Sequence, residues 1–228
     1  MKSIKEFLKK ISFIRNTYSY FLTKKIEHKK KKELRVSGNE TLTTLQTQLT
    51  KADISFFFDM GTLLGIVREG RLLKHDMDID VGVFATDDDQ KKEITRTLNS
   101  LGCREVYRYS IDTIGIVEQS FILNDIKFDI NYYHRADAVD ICYLFYRDPK
   151  KRYAEECVMD VVQLSCPHIN KIVKIDFAGT SVNIPDSAET YLANRYGSNW
   201  RIPDKKYVYW KGPSARKTDL IGYVEIKQ

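Results

Sequence analysis

The sequence contains no long hydrophobic run and no closely spaced pair of cysteines, and both absences exclude classes of protein. No apolar stretch reaches the roughly 18 residues of a transmembrane helix. The four cysteines, Cys103, Cys142, Cys157 and Cys166, form no Cys-x-x-Cys pair, which argues against a zinc knuckle. Their scatter is typical of buried thiols in a reducing compartment. Lysines interrupt the N-terminus too often for a signal peptide, so we expect a cytoplasmic protein.

The composition is that of a folded chain with one sizeable core. Of its 228 residues, 43% are hydrophobic and 12% aromatic. Fourteen tyrosines and eleven phenylalanines favour an α/β or α+β protein with substantial sheet. The net charge of +6 is uneven, because residues 1–33 carry +8 and the remainder carries −2. The remainder therefore has no broad basic track, and we expect no nucleic-acid partner.

The N-terminal segment predicts a basic amphipathic helix. Apolar residues recur there every three or four positions, namely Ile4, Phe7, Leu8, Ile11, Ile14, Tyr18, Phe21, Leu22 and Ile26. The apolar stripe either packs on the domain or on a second subunit, or lies on an anionic membrane with help from the polybasic run 29–32. A polar break at 36–39 divides the chain into an extension, 1–35, and a catalytic domain, 36–228. A non-enzymatic alternative is a surface-binding module that uses this helix on membrane or nucleic acid.

Hydrophobic periodicity and turn residues predict alternating helices and strands after the break. Helices are predicted at 40–51, 62–67, 86–101 (with Thr86 as N-cap) and 185–196, and strands at 54–58, 78–84, 121–123, 126–130, 157–164 and 171–177. The break at Asn124-Asp125 indicates a hairpin. The acids at 87–89 are interpreted as capping charge at a helix start. Residues 200–228 show little regular pattern.

Three aspartates at every second position mark the start of a buried strand. Alternation places Asp78 and Asp80 on one face, while Asp76 lies near the strand entrance. Two carboxylates on one face suit a hard divalent cation, Mg²⁺ or Mn²⁺. Asp129 interrupts another apolar strand and is the candidate third ligand and catalytic carboxylate. The alternative is that these acids form ion pairs with the nearby Lys74, Arg68 and Arg71.

A glycine and a hydroxyl residue precede the acids at a predicted helix start. Gly61 and Thr62 present backbone N–H groups that suit a phosphate, and Arg68 adds a bidentate cation. Together with Asp-x-Asp on the next strand, this pattern predicts a phosphoryl- or nucleotidyl-transfer site.

Four further residues are candidates with open alternatives. Asp59 either serves the acceptor or caps the following helix. His75 either contacts substrate or is a hydrogen-bond partner of the acids beside it. Trp200 and Arg201 form either an aromatic, basic wall for a sugar or cytosine, or ordinary packing.

Two separated motifs together resemble the LicD/fukutin-type phosphotransferase family of the nucleotidyltransferase superfamily. The first is residues 61–68 (GTLLGIVR) followed by 76–80 (DMDID). The second is residues 191–203, which match the family's C-terminal Tyr-Leu-x-x-Arg-Tyr-Gly…Trp…Pro element. The resemblance covers roughly residues 40–212. It implies an α+β fold, with a nucleotidyltransferase-like mixed sheet flanked by helices.

The resemblance also implies a reaction and its partners. Family members move a phospho-group, such as phosphocholine or an alditol phosphate, from a CDP-linked donor to a glycan or glycolipid hydroxyl and release CMP. Asp78 and Asp80 match the metal ligands of the family. Departures are His75, where members usually have Trp, and Met77, where many carry an acid. The alternative function is an NTP-dependent nucleotidyltransferase that releases pyrophosphate.

Overall fold

The computed structural model describes residues 2–85 and 87–227, and for residues 2–22 it describes the backbone alone. The described helices are α1 (Lys2–Lys51), α2 (Met60–Leu64), α3 (Asp88–Ser100) and α4 (Ala188–Tyr196). A π-helical turn, Gly65–Glu69, continues α2, and a 3-10 turn covers Tyr209–Lys211. The described strands are β1 (Phe56–Phe58), β2 (Asp78–Phe84), β3 (Arg104–Ile111), β4 (Gly115–Leu123), β5 (Ile126–Arg135), β6 (Asp140–Tyr146), β7 (Val158–Cys166), β8 (Ile172–Phe177), β9 (Thr180–Pro185) and β10 (Ala215–Ile226).

Eight strands form one sheet in the order β1-β2-β5-β4-β3-β10-β7-β6, and β8 and β9 form a separate hairpin. The long strand β5 also pairs with β6, through His134 opposite Ile141 and Arg135 opposite Asp140. This second pairing closes six strands, β5-β4-β3-β10-β7-β6, into a barrel. The α+β class is as predicted. The prediction of a mixed sheet flanked by helices did not include a barrel, which forms because the end of β5 pairs with β6. Within the described residues, β2 and β5 are the single parallel pair.

Residues 200–228 were predicted to have little regular structure, and this prediction was wrong for the strand β10. This strand runs for 12 residues and pairs with both β3 and β7. Its register shifts between Lys217 and Ile221. Such an irregularity changes which side chains share a face, so the alternation that marks a strand is lost from the sequence.

The core packs α1 against the first strands of the sheet. Leu34, Leu42, Leu45 and Leu49 of α1 are buried in the same cluster as the three phenylalanines of β1. Their spacing of three, four and eight residues places them on one side of the helix. This packing, more than local propensity, stabilises the second half of α1.

The predicted break at residues 36–39 was wrong, because α1 continues through it. Gly38 is buried, and a Cβ atom there would lie 2.7 Å from Leu72 Cδ1. The missing side chain allows a close approach of helix and loop, and tertiary contact overrides the weak helix propensity of glycine. The division into an extension and a catalytic domain stays a prediction.

The predicted N-terminal amphipathic helix can be compared with α1 in two respects, its backbone and the last residue of its apolar stripe. Its backbone is helical from Lys2, whereas the side chains of the apolar stripe at residues 4–22 lie outside the described residues. Ile26, the last residue of that stripe, is 47% exposed. Among the described residues, no helix combines the length and apolar character that crossing a bilayer requires. The amphipathic character of the segment therefore stays a prediction.

The predicted hairpin turn is confirmed, whereas the helix cap predicted at Thr86 lies one residue later, at Asp87. Asn124 and Asp125 join β4 to β5 with φ angles of 51° and 62°, as a tight hairpin requires. Thr86 lies outside the described residues, and the helix start has Asp87 as its cap, whose carboxylate accepts a hydrogen bond from the Gln90 N–H at 2.9 Å. The neighbouring Asp89 pairs with Lys92, so these acids serve the helix start.

Candidate active site

The parallel pairing of β2 with β5 brings the predicted carboxylates together. Asp80 lies directly opposite Asp129, and Asp78 lies opposite Lys127. Ile79 and Val81 point to the other face and are fully buried. Because directly paired residues project to the same side, Asp78, Asp80 and Asp129 share one face of the sheet.

The start of α2 lies against the same face. The Gly61 N–H donates a hydrogen bond to Asp80 Oδ2 at 3.1 Å. A Cβ atom on Gly61 would lie 2.7 Å from Asp76 Oδ2 and 3.5 Å from Asp80 Oδ2. Only glycine leaves room for both acids here. Asp76 thus contacts the turn, although it precedes the strand.

The hydroxyl of Thr62 is directed inward. Thr62 is 1% exposed, and its Oγ1 accepts a hydrogen bond from the backbone N–H of Asp80 at 2.9 Å. The backbone N–H of Asp59 in turn donates to the carbonyl of Asp80 at 3.0 Å. These bonds fix the turn against β2. They give Thr62 a positioning role, with its hydroxyl engaged by protein.

Lys127 neutralises part of the acidic cluster. Its Nζ lies 2.9 Å from Asp78 Oδ2 and 2.6 Å from Asp129 Oδ2. Burial disfavours its charged form, but Asp129 and Asp78 together raise the pKa of Lys127. Sequence reasoning missed this residue. The available signal was its position two residues before Asp129 in an alternating strand, which places both on one face.

The cluster holds more negative than positive charge. Burial, and next the charge of Asp78, raise the pKa of Asp76 to about 7. Burial and the charges of Asp78 and Asp129 raise the pKa of Asp80 well above its ordinary value. Carboxylates with raised pKa values lack sufficient counter-charge, which is a frequent property of functional sites.

A divalent cation fits the chemistry of this donor set. The ligands are all carboxylate oxygens, the type that Mg²⁺ and Mn²⁺ prefer. Asp129 Oδ1 is buried and has no hydrogen-bond partner within the described parts of the chain. Over those same residues, no three His, Cys, Asp or Glu side chains are already arranged as a metal cage. The donors therefore fit a cation, and Lys127 bridges two of them in this conformation.

Glu118 is a second residue that sequence reasoning missed. It lies on β4, one strand beyond Asp129, and is 9% exposed. Burial and then the charge of Asp129 raise the pKa of Glu118 to about 8. The signal was the same as for Asp129, an acid within an apolar strand. A carboxylate with this pKa can accept and release a proton near neutral pH.

Asp59 is a buried cap beneath the site. It is 0% exposed, and its Oδ1 accepts a hydrogen bond from the Met60 N–H at 2.7 Å. The Tyr133 hydroxyl donates to Oδ2 at 2.8 Å, and the Tyr191 hydroxyl donates to Oδ1. Burial raises the pKa of Asp59, whereas Arg195 and these hydrogen bonds oppose the shift. Asp59 was expected either to serve the acceptor or to cap the following helix. In the structure it caps α2.

Residues of the C-terminal motif contact the two residues that precede Gly61 of the first motif. Arg195 of α4 is 4% exposed, and its Nη2 lies 3.2 Å from the Met60 sulfur. Met60 itself has a φ of 46°, in the left-handed region. Tyr191 and Arg195 thus hold a strained residue at the start of α2, immediately before Gly61.

The remaining candidates lie around this centre. Arg68 donates to the Trp200 carbonyl at 3.2 Å and pairs with Glu69 at 3.0 Å. Trp200 is 4% exposed, and the Arg201 guanidinium lies 4.3 Å from the centre of its ring. The His75 side chain is 71% exposed, with its Nε2 3.7 Å from Asp76 Oδ1. Trp200 is thus mainly a packing residue, whereas the side chains of His75 and Arg201 are accessible.

Comparison with solved structures gives a partial overlap. A crystal structure of ANT(2″)-Ia in complex with adenylyl-2″-tobramycin superposes with a TM-score of 0.40 and 15% sequence identity. The overlap covers 73% of this chain and 78% of that chain.

Comparison with curated sequences gives relatives of greater length. Ribitol-5-phosphate transferase FKTN is 22% identical over 184 residues in Homo sapiens and 25% identical over 185 residues in Mus musculus. Each alignment covers 78% of this chain and 36% of the relative, so the chain spans about a third of their length. An uncharacterised protein of Rickettsia prowazekii, RP689, is 32% identical over 77 residues, which cover 31% of this chain and 29% of that protein.

The family model described as LicD/FKTN/FKRP, nucleotidyltransferase domain, matches residues 53–187. This range is more than half of the chain and contains the start of α2, the Asp-x-Asp strand, and both strands that carry Asp129 and Glu118. The chain belongs to the LicD/FKTN/FKRP family.

Proposed function

We propose that the protein is a metal-dependent phosphotransferase, which moves a substituted phosphate from a CDP-activated donor to a glycan hydroxyl and releases CMP. The observation that carries the proposal is the register of β2 with β5, which places Asp78, Asp80 and Asp129 on one face beside the Gly61 turn. A face of three carboxylates is suited to holding a divalent cation, and the cation in turn can bind the diphosphate of the donor.

Asp78, Asp80 and Asp129 would hold the cation, Mg²⁺ or Mn²⁺. When bound, it supplies charge neutralisation for the diphosphate and for the leaving CMP. The chain's own residues orient the reactants. The Gly61 turn, held by Asp59 and Thr62, sets the distance between the carboxylates and the donor. Arg68, fixed by the Trp200 carbonyl, adds positive charge on the side of Asp76.

The transfer itself is an in-line displacement. The acceptor oxygen forms a bond to phosphorus while the bond from phosphorus to the CMP oxygen breaks. The proton of the acceptor hydroxyl passes to a carboxylate of the site, either Asp129 or Glu118. Glu118 is suited to this role, because its pKa of about 8 lies near neutral pH, where its deprotonated fraction is a stronger base than an ordinary glutamate.

The transferred group is proposed from the relatives. The matched part of the FKTN proteins contains the segment that corresponds to this site, and their name is ribitol-5-phosphate transferase. An alditol phosphate is therefore our first candidate, and phosphocholine is the second. The acceptor is a glycan or glycolipid in a surface polysaccharide. The protein would act in the cytoplasm, with α1 as a peripheral contact to the inner face of the membrane.

The assay is CMP release from a panel of CDP-linked donors, among them CDP-ribitol, CDP-glycerol and CDP-choline, with and without Mg²⁺. We expect one donor to be turned over, and turnover to be lost in Asp78→Asn. Asp89→Asn is the matched control, because Asp89 is an exposed aspartate on α3. Normal turnover by Asp78→Asn would contradict the assignment of the site.

A second function is favoured by the family description, which names a nucleotidyltransferase domain. In that reaction a nucleoside monophosphate passes from an NTP to a sugar or small molecule, and pyrophosphate leaves. The same carboxylates would act. Pyrophosphate release from an NTP, without CMP release from any CDP-linked donor, would select this reaction.

A further inference from the structure

Lys127 lies where a cation is expected. Its ammonium is placed between Asp78 and Asp129, at 2.9 Å and 2.6 Å from one oxygen of each. These are two of the three proposed ligands. The Lys127 side chain is 18% exposed and the Asp129 side chain 11%, so this ion pair is largely removed from water.

The ammonium and a divalent cation need the same two carboxylates, Asp78 and Asp129. An ammonium within 3 Å of one oxygen of a carboxylate repels a second cation at that carboxylate and restricts the approach to it. Two ligands that exclude each other from one site are linked, so each weakens the binding of the other by the same factor. We propose that Lys127 competes with the divalent cation for Asp78 and Asp129, and is their counter-ion in the metal-free protein.

A groove beside Lys127 has room for its side chain. This groove of about 300 Å³ lies between α1 and the β4–β5 hairpin, and Lys127 forms part of its wall. Met77 lines the same groove and lies one residue before Asp78. Rotation of the flexible lysine stem into this groove would free both carboxylates without moving β5. The released ammonium would remain beside the site, where it can bind an oxygen of the donor phosphate.

The inference rests on the metal assignment of the proposed function, and one experiment separates the two. Mg²⁺ and Mn²⁺ are titrated into the full-length metal-free protein by calorimetry. In Lys127→Met we expect the dissociation constant to fall about tenfold or more, because a competing positive charge is gone. Lys127→Arg keeps the charge and should bind as the wild type does.

Lys91→Met is the matched control, since Lys91 is also a buried lysine paired with an aspartate, Asp88, but lies on α3. Its metal affinity should equal that of the wild type. If the wild type binds Mg²⁺ and Lys127→Met binds it no more tightly, the competition is refuted while the metal site stands. If no protein in the series binds either cation, the metal assignment fails and the competition fails with it.

A measurement on the wild type does not depend on the folding of any variant. Acetylation of lysines by an N-hydroxysuccinimide ester, followed by mass spectrometry, reports how accessible each ammonium is. We expect Mg²⁺ to raise the rate at Lys127 severalfold and to leave the rate at Lys91 unchanged. An unchanged rate at Lys127 under conditions where calorimetry shows bound Mg²⁺ would refute the competition.

Discussion

The hydroxyl of Tyr191 on α4 donates a hydrogen bond to the carboxylate of Asp59, which caps α2. The two residues are 132 positions apart in the chain. Asp59 is followed by Met60, in its left-handed conformation, and by Gly61, whose N–H contacts Asp80. The C-terminal motif therefore reaches the proposed metal ligands through one buried carboxylate, and both motifs belong to one structural unit.

Replacement of Tyr191 by phenylalanine tests this connection. Asp59 Oδ1 would keep the Met60 N–H as its single donor, and loss of one buried hydrogen bond to a carboxylate costs about 1–3 kcal/mol. We expect the free energy of unfolding, measured in urea, to fall by about this amount. CMP release should fall with it, since the Gly61 turn loses support. Tyr107→Phe, at a 37% exposed tyrosine, is the control and should match the wild type. Equal stability of the two variants would contradict the connection.

Gly61→Ala should reduce activity without a matching loss of stability. Alanine gains about 1 kcal/mol of helix propensity over glycine, which offsets part of the strain. Its Cβ, however, would lie 2.7 Å from Asp76 Oδ2, so the acids must move apart from the turn. We expect CMP release to fall about tenfold or more, and the thermal midpoint to change little.

Gly179→Ala is a control in which we expect the opposite result, lower stability with full activity. Gly179 has a φ of 80° and no atom within 4 Å of an added Cβ, so alanine there is strained but touches nothing. It should lose about 1 kcal/mol of stability and keep full activity. If Gly61→Ala behaved in the same way as Gly179→Ala, the turn would have no special role.

The sequence predicts local features of this fold better than distant pairings. The strand at residues 78–84 was predicted with its observed bounds, because alternating aspartates and apolar residues carry the period of a strand. The hairpin at Asn124-Asp125 was also found, since its turn residues are adjacent. Barrel closure was missed, because it depends on two residue pairs between β5 and β6 that have no local signature.

The residues of the candidate site likewise differ in whether the sequence alone could identify them. Asp78, Asp80 and Gly61 are close in sequence, so their proximity could be inferred from spacing. Lys127 and Glu118 have a local signal as charged residues in apolar strands, but their partners could not be assigned from it, because these depend on the order of β2, β5 and β4 in the sheet. A charge on a strand becomes a partner of another charge only when the strands are known to be neighbours.

The exposed lysines of α1 before Leu34 yield a prediction about membranes. Lys25 and Lys32 are exposed on this helix, near the exposed Ile26. If the segment lies on an anionic surface, each lysine contributes about 1 kcal/mol to binding. Lys25→Glu with Lys32→Glu should weaken co-sedimentation with vesicles of phosphatidylcholine and phosphatidylglycerol about tenfold or more.

The matched control for this pair is Lys150→Glu with Lys205→Glu, two exposed lysines that lie outside α1. It should co-sediment as the wild type does, and neither pair should bind vesicles of phosphatidylcholine alone. Absence of vesicle binding by the wild type, with a dimer in light scattering, would select the alternative in which the apolar stripe packs on a second subunit.

Glu118 gives the stability a defined dependence on pH. Its pKa rises from an ordinary value of 4.5 to about 8 in the folded protein, chiefly through burial. Between these values the folded state keeps a proton that the unfolded state releases, so the free energy of unfolding falls as pH rises. One group contributes a slope of up to about 1.4 kcal/mol per pH unit, and the slope ends above about pH 8.

Glu118→Gln removes this titration and should flatten the curve. Unfolding in urea is measured from pH 4.5 to 8.5 in the presence of EDTA, for the wild type, Glu118→Gln and the control Asp89→Asn. Asp76, Asp80 and Asp129 have raised pKa values too, so every protein should lose stability with rising pH. The difference between wild type and Glu118→Gln reports Glu118 together with its electrostatic interaction with Asp129, because the other acids remain in both. Parallel curves would show that Glu118 titrates as an ordinary glutamate and is no reservoir for the acceptor proton.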